Sequence, residues 1–77
     1  SDLSDRQLVG FSSAVNVLQQ GVDNTILAGL TNGQLHRIEG ADNEVIASQP
    51  DEVTGIVVDD REIYVGSTKG QILRVRE

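Results

Sequence analysis

Apolar residues along this chain come in short bursts set apart by turn-forming residues. The bursts are "QLVGF" (7–11), "VNVLQ" (15–19), "TILAGL" (25–30), "QLHRIE" (34–39), "EVIASQ" (44–49), "VTGIVV" (53–58), "EIYVGS" (62–67) and "QILRVR" (71–76). Each is five or six residues long and rich in Val, Ile and Leu, the length and composition of a short β-strand. Between them stand "GVDN", "TNG", "GADN", "DDR" and "STKG", clusters whose Gly and Asn tolerate the positive φ of tight turns. No segment holds a helical period over an adequate length. The pattern predicts an all-β chain of eight short strands, with Gly33 and Gly70 at equivalent points of two hairpins.

The same pattern occurs twice. At an offset of 37, "ILAGLTNGQLHRIE" (26–39) returns as "IYVGSTKGQILRVR" (63–76), pairing Gly29 with Gly66, Gly33 with Gly70, Gln34 with Gln71 and Arg37 with Arg74. Upstream, Asp5 pairs with Asp42, Leu8 with Val45 and Val9 with Ile46 at that offset. Between these blocks the offset is 38, pairing Val15 with Val53, Asn16 with Thr54 and Leu18 with Ile56, which a loop longer by one residue explains. Two repeats, 1–39 and 40–77, tile the chain within a single domain.

The third strand of each repeat is apolar at consecutive positions: Ile26, Leu27, Ala28 in one and Ile63, Tyr64, Val65 in the other. Strict alternation would leave one face in water, whereas a continuous run predicts cover on both faces. Four-stranded sheets stacked face to face supply that cover, with Gly29 and Gly66 permitting close approach. A repeat of about 40 residues with four strands is the mark of a β-propeller blade.

"IYVGSTKGQILRVRE" and "ILAGLTNGQLHRIE" also resemble the centre of a blade in WD-repeat and quinoprotein-like propellers: strand, Gly, small polar residues, Gly, strand. The resemblance covers both repeats at superfamily level. The chain has no Trp, so neither the Trp-Asp pair nor the tryptophan motifs of quinone-cofactor enzymes are present, and no cofactor is implied. Blade order predicts one complete sheet over 15–49, a sheet short of its outer strand over 53–76, and a surplus strand at 7–11. These two ends complement each other between chains. The expected architecture is therefore a β-propeller with two four-stranded blade repeats per chain, completed by homo-oligomerisation, with a trimer of six blades favoured over a tetramer of eight. The alternative is a monomeric eight-stranded sandwich of two four-stranded sheets.

Size makes association more attractive. A chain of 77 residues buries a small fraction of its surface and is short of core. It has no Cys and a single histidine, His36, which excludes disulfides, thiolate metal sites and multi-histidine sites within one chain. The net charge of −6, from 12 acidic and 6 basic residues, repels nucleic acid and anionic membranes. No apolar run approaches the roughly 18 residues of a membrane span. No signal peptide is visible, and Ser1 in place of Met suggests a processed or trimmed chain; the compartment stays open, with a lean to the cytoplasm.

Motifs that carry chemistry read more simply as turns. "GFSSA" (10–14) approaches the nucleophile elbow G-x-S-x-G but lies between two strands, where the elbow needs a strand and a helix. "GSTKG" (66–70) has the order of a hairpin and not of a phosphate loop, and its twin "GLTNG" has no Lys. His36 has Leu73 as its counterpart, so a packing or half-exposed role is expected and neither catalysis nor metal ligation. Arg37 and Arg74 are equivalent and read as surface ion-pair residues. Asp23-Asn24 and Asp59-Asp60 occupy equivalent turns without the spacing of a calcium loop.

These readings predict a non-enzymatic structural or interaction module that assembles with itself, the behaviour also of a designed or excised propeller building block. A ligand or partner rim is expected at the hairpin tips, on Thr31, Asn32, Thr68 and Lys69, facing a protein or peptide. A sugar-binding propeller is the alternative function. Phe11 and Tyr64, the only aromatic residues of the Phe, Trp, Tyr class, are sparse material for stacking on sugars or bases.

Overall fold

A computed structural model of the chain describes residues 10–76. The described chain is all-β. Its strands are β1 (Val15–Gln20), β2 (Ile26–Leu30), β3 (Gln34–Glu39), β4 (Asp42–Ser48), β5 (Val53–Asp59), β6 (Glu62–Ser67) and β7 (Ile72–Arg76). They form two antiparallel meanders, a four-stranded sheet β1-β2-β3-β4 and a three-stranded sheet β5-β6-β7. The sheet break falls at 49–52, one strand later than the sequence repeat boundary at 39/40. Of the strand predicted over 7–11, residues 7–9 lie outside the described residues, and Gly10 and Phe11 are not in a strand. The other seven predicted strands are all present in the described chain.

Turn chemistry explains where strands end. Gly33 and Gly70 sit at φ of +90° and +80°, and Gly40 at +60°, conformations that cost a residue with a Cβ about 1–2 kcal/mol. Gly40 closes a tight turn that lets Asp42 pair with Glu39, so β4 starts two residues before the predicted Glu44. Among the described residues, Asp23, Asn24 and Asp60 are the non-glycine residues at positive φ, which accounts for Asp and Asn in those turns. They are turn residues.

The two sheets share one pairing scheme. Leu18 pairs with Ala28 and Ile56 with Val65; Ala28 pairs with His36 and Val65 with Leu73. Even the irregularities match, with a register shift between Val15 and Val17 and another between Val53 and Gly55. The repeat seen in the residues is therefore a repeat of hydrogen-bond register.

The core lies between the sheets. Leu27 and Leu35 of the first pack with Val53, Ile56, Ile63 and Val65 of the second, and Val17, Ile46, Ala47, Val58 and Val75 border them. Gly29 is where the sheets come closest: a Cβ there would fall inside the envelope of Val53 and lie 2.8 Å from its Cβ atom. On β2, Leu27, Ala28, Gly29 and Leu30 are buried from both faces, while Ile26 at its start is exposed. For β6 the cover holds on one face only. Ile63 and Val65 turn into the core, while Tyr64 between them is half-buried on the far side.

Candidate functional site

The tip of the first hairpin is tied to a neighbouring segment, and that of the second is more open. Thr31, Asn32, Thr68 and Lys69 are all exposed. Thr31 is anchored to the connection that precedes β1. Its N–H donates to the Ala14 carbonyl at 3.0 Å, and its hydroxyl meets the Ser13 hydroxyl at 2.6 Å. Asn32 folds back on its own turn, its Oδ1 accepting from the Gln34 N–H at 3.0 Å, the local bond that makes Asn a turn former. Thr68 and Lys69 ride on a hairpin closed by the Gly70 N–H to the Ser67 carbonyl and by the Ser67 N–H to the Gln71 carbonyl, both 3.1 Å. "GSTKG" is thus a hairpin, and "GFSSA" is an irregular segment with a bend at residues 12–13.

Gln49 ties this end of the molecule together, and nothing in the residue pattern singled it out. Its N–H donates to the Gly33 carbonyl at 2.9 Å, and its Nε2 donates to the Gly66 carbonyl at 3.2 Å and the Asp51 carbonyl at 3.3 Å. It sits in the 49–52 connection and holds the tip of one sheet to β6 of the other. The repeat could not reveal it, because its counterpart at offset 37 is Ser12. Beside it, the Asn16 Nδ2 donates to the Val53 carbonyl at 2.7 Å and to the Glu52 carboxylate at 3.0 Å. These polar bonds rim the apolar contact between the sheets.

A second feature was legible in outline only. On the far face of the second sheet, Thr54, Gly55, Val57, Tyr64, Gly66 and Ile72 line an open groove of about 300 Å³. Val57 and Ile72 are well exposed there. The repeat counterparts of Tyr64, Gly66 and Ile72 are Leu27, Gly29 and Leu35, which are buried. At the other end of the molecule, Val15, Leu18, Ile26 and Val45 are exposed on the first sheet. Both outer faces are apolar.

Among the described residues, the charged side chains of Arg37, Arg61, Arg74 and Arg76 meet carboxylates. Arg37 pairs with Glu44 across β3 and β4. Arg74 and Arg76 both approach Glu62, at 3.8 and 4.0 Å, and Arg61 reaches Asp23 at 3.6 Å. Exposed pairs of this kind contribute at most about 1 kcal/mol. His36 has Nδ1 at 2.8 Å from the Asn43 side chain and Nε2 at 3.1 Å from that of Gln34. Its ring stands edge-on to Phe11, with centroids 4.8 Å apart. Among the described residues no group of three or more His, Cys, Asp or Glu is placed to hold a metal ion, and no helix is long and apolar enough to cross a membrane. No family model, curated protein or solved structure matches the chain.

Proposed function

We propose that this chain is a structural and interaction module, a two-blade unit that joins copies of itself into a closed β-propeller, and that it is not an enzyme. The observation that carries the reading is the unequal pair of sheets. β3 has β4 at its outer edge, but β7, its counterpart in every register pair, has no outer neighbour among the described strands. An unpaired strand edge invites another chain.

The strand that fits that edge is the surplus one in the sequence. At offset 37, residues 5–11, "DRQLVGF", are the counterpart of β4, "DNEVIAS". In the β3–β4 register they would set Leu8 of a neighbouring copy opposite Leu73, and Asp5 opposite Arg76. Within the chain the last of these places holds Glu39 against Asp42, so the link between chains replaces a like-charge pair with an opposite one. Apolar side chains at the two outer faces, Val15, Leu18, Val57 and Ile72, are 43 to 74% exposed, so each would gain part of the about 1.5–3 kcal/mol that full burial is worth. One head-to-tail contact serves both ends, and such a contact either closes as a ring or runs on as a fibre.

Sheets that stack with a constant rotation close as a ring, and propellers have about four to eight blades. Three chains of two sheets each give six blades, within that range. The ring would present Thr31, Asn32, Thr68 and Lys69 in symmetric copies, so weak contacts to a protein or peptide add through avidity. Analytical ultracentrifugation tests the reading. The full chain should sediment as one defined oligomer, a trimer, and deletion of residues 1–11 should leave it without that oligomer. A full chain that stays monomeric at tens to hundreds of micromolar would refute it.

A further inference from the structure

We propose that the open face of the second sheet, around Gly55, Val57, Tyr64, Gly66 and Ile72, docks the first sheet of a second copy. Val15 and Leu18 of that copy would take the places that Val53 and Ile56 hold inside the chain. The inference rests on the self-assembly reading and adds to it the mating surface and its geometry.

The molecule contains this interface once already. Inside the chain, Val53 and Ile56 of β5 close over Gly29, and both lie within reach of a Cβ built there. Every participant has a repeat counterpart in the same register. Gly29 corresponds to Gly66, Leu27 to Tyr64 and Leu35 to Ile72, while Val53 corresponds to Val15 and Ile56 to Leu18. The two bulges put Val15 on the same face as Leu18, as they put Val53 on the same face as Ile56. Identical register carries identical side-chain facing.

Exposure separates the closed copy from the open one. Val53 and Ile56 are 0% and 7% exposed, whereas Val15 and Leu18 are 43% and 64%. Leu35 is 1% exposed and Ile72 is 74%. Nothing about Ile72 as a residue suits water better than Leu35 does. What differs is that no described strand lies over Ile72. The open face and the exposed β1 residues are the two halves of one apolar contact, so a second copy is the occupant whose shape is already present in this chain.

Two glycines repeat the contrast. A Cβ at Gly66 would meet only its own strand neighbours, the Thr54 hydroxyl at 3.3 Å and Gly55 backbone atoms at 3.9 Å or more. At Gly33 a Cβ would run into the Gln49 carbonyl oxygen and lie 2.8 Å from that of Asp51, yet at Gly70 it would meet nothing within 4 Å. The counterpart of Gln49 is Ser12, so the 12–14 connection of a docked copy would lie over Gly70, and the Ser12 N–H would serve the Gly70 carbonyl. That backbone bond survives the change from Gln to Ser. Asn16 is replaced by Thr54, so the side-chain clamp at that place is not carried over, which leaves the contact between chains weaker than the contact within one.

Two single variants test this face. Gly66→Ala fits the isolated chain, because only the exposed Thr54 hydroxyl must give way, but it should clash with a docked Val15. Leu18→Glu places a charge on the other half. Each should keep the far-UV β spectrum and raise the dissociation constant for self-association at least 100-fold by ultracentrifugation. Mixed together, they should form a 1:1 dimer, since each retains the half that the other has lost. Cross-linking supplies a readout that does not depend on these two substitutions. Ala14 and Thr54 are the counterparts of Glu52 and Asn16, which touch at 3.0 Å within the chain. In a chain without native Cys, a mixture of Ala14→Cys and Thr54→Cys should form a disulfide-linked heterodimer on mild oxidation. An oligomer of unchanged mass in both first variants, or no heterodimer in the cysteine mixture, overturns this face while self-assembly stands. A monomeric wild type, or an oligomer of wild-type mass that retains another protein on the open face, overturns the second copy as occupant.

Discussion

The two meanders of this protein, β1–β3 and β5–β7, share residues, register and bulges, and differ in what lies over them. Over the first, the following strand β5 and the 49–52 connection complete a core and enclose a turn. Over the second lies no further strand among the described residues. Gly29 and Gly66 are the same residue in the same register, but one is a steric necessity and the other an unused allowance. A glycine or a Leu/Ile position therefore carries information about a neighbour that the isolated chain need not contain.

The comparison is broken most severely at the hairpin glycines. Gly33→Ala combines a positive φ with a collision against the backbone of Gln49 and Asp51. Backbone cannot rotate aside, so the loss should be about 4 kcal/mol or more, nearly the whole stability expected of a domain this small. Gly70→Ala meets open space and pays only for its φ, about 1–2 kcal/mol. Urea midpoints of the two variants, taken in dilute protein, check the difference. Equal midpoints would mean that the enclosure of Gly33 contributes nothing to stability.

That prediction also marks how far the residues alone could be read. All-β character, the hairpin tips and the strand positions to within about two residues were legible, because Gly33, Gly70 and the Val/Ile/Leu bursts act locally. The offset of 37 was legible for the same reason, since local patterns repeat locally. The bulges between Val15 and Val17 and between Val53 and Gly55 were not, as no residue type marks them. Gln49 was not, because its bonds to Gly33 and Gly66 span 16 and 17 positions, and its counterpart Ser12 breaks the repeat. The run Ile63-Tyr64-Val65 pointed to cover on both faces of β6, and the fold covers only the face of Ile63 and Val65. The rim residues Thr31, Asn32, Thr68 and Lys69 stand where hairpin chemistry put them, yet the apolar groove beside them was seen only through its glycine.

A milder break comes at the side chains of the same face. Leu35→Ala removes a buried side chain that packs between the sheets and should cost about 3 kcal/mol. Ile72→Ala, at the counterpart position in water, should change monomer stability by about 0.5 kcal/mol or less. Its effect should appear instead as protein concentration rises, as a weaker association by ultracentrifugation. If Ile72→Ala lowered the monomer's urea midpoint as far as Leu35→Ala does, the two faces would be equally covered and the contrast between the meanders would vanish.

The smallest effect is expected where the repeats differ most in chemistry, at His36 and its counterpart Leu73. The His36 ring has its two nitrogens against the Asn43 and Gln34 side chains and its edge on Phe11. Those amides stand at the surface, where water takes over a lost hydrogen bond, so the net worth of each is about 1 kcal/mol or less. His36→Leu gives up both bonds but places on β3 the residue that the same position of β7 already carries, in the same pairing with its neighbouring strand. It also keeps an apolar partner for Phe11. These terms oppose each other. Stability should shift by less than about 1 kcal/mol, with an unchanged urea m-value as the sign that the fold is the same. Oligomer mass should be unaltered, because Leu faces a docking sheet at least as well as His. A loss above about 2 kcal/mol, or release of a bound metal ion on substitution, would show that His36 does something its repeat partner cannot, and the two meanders would then differ in chemistry as well as in cover.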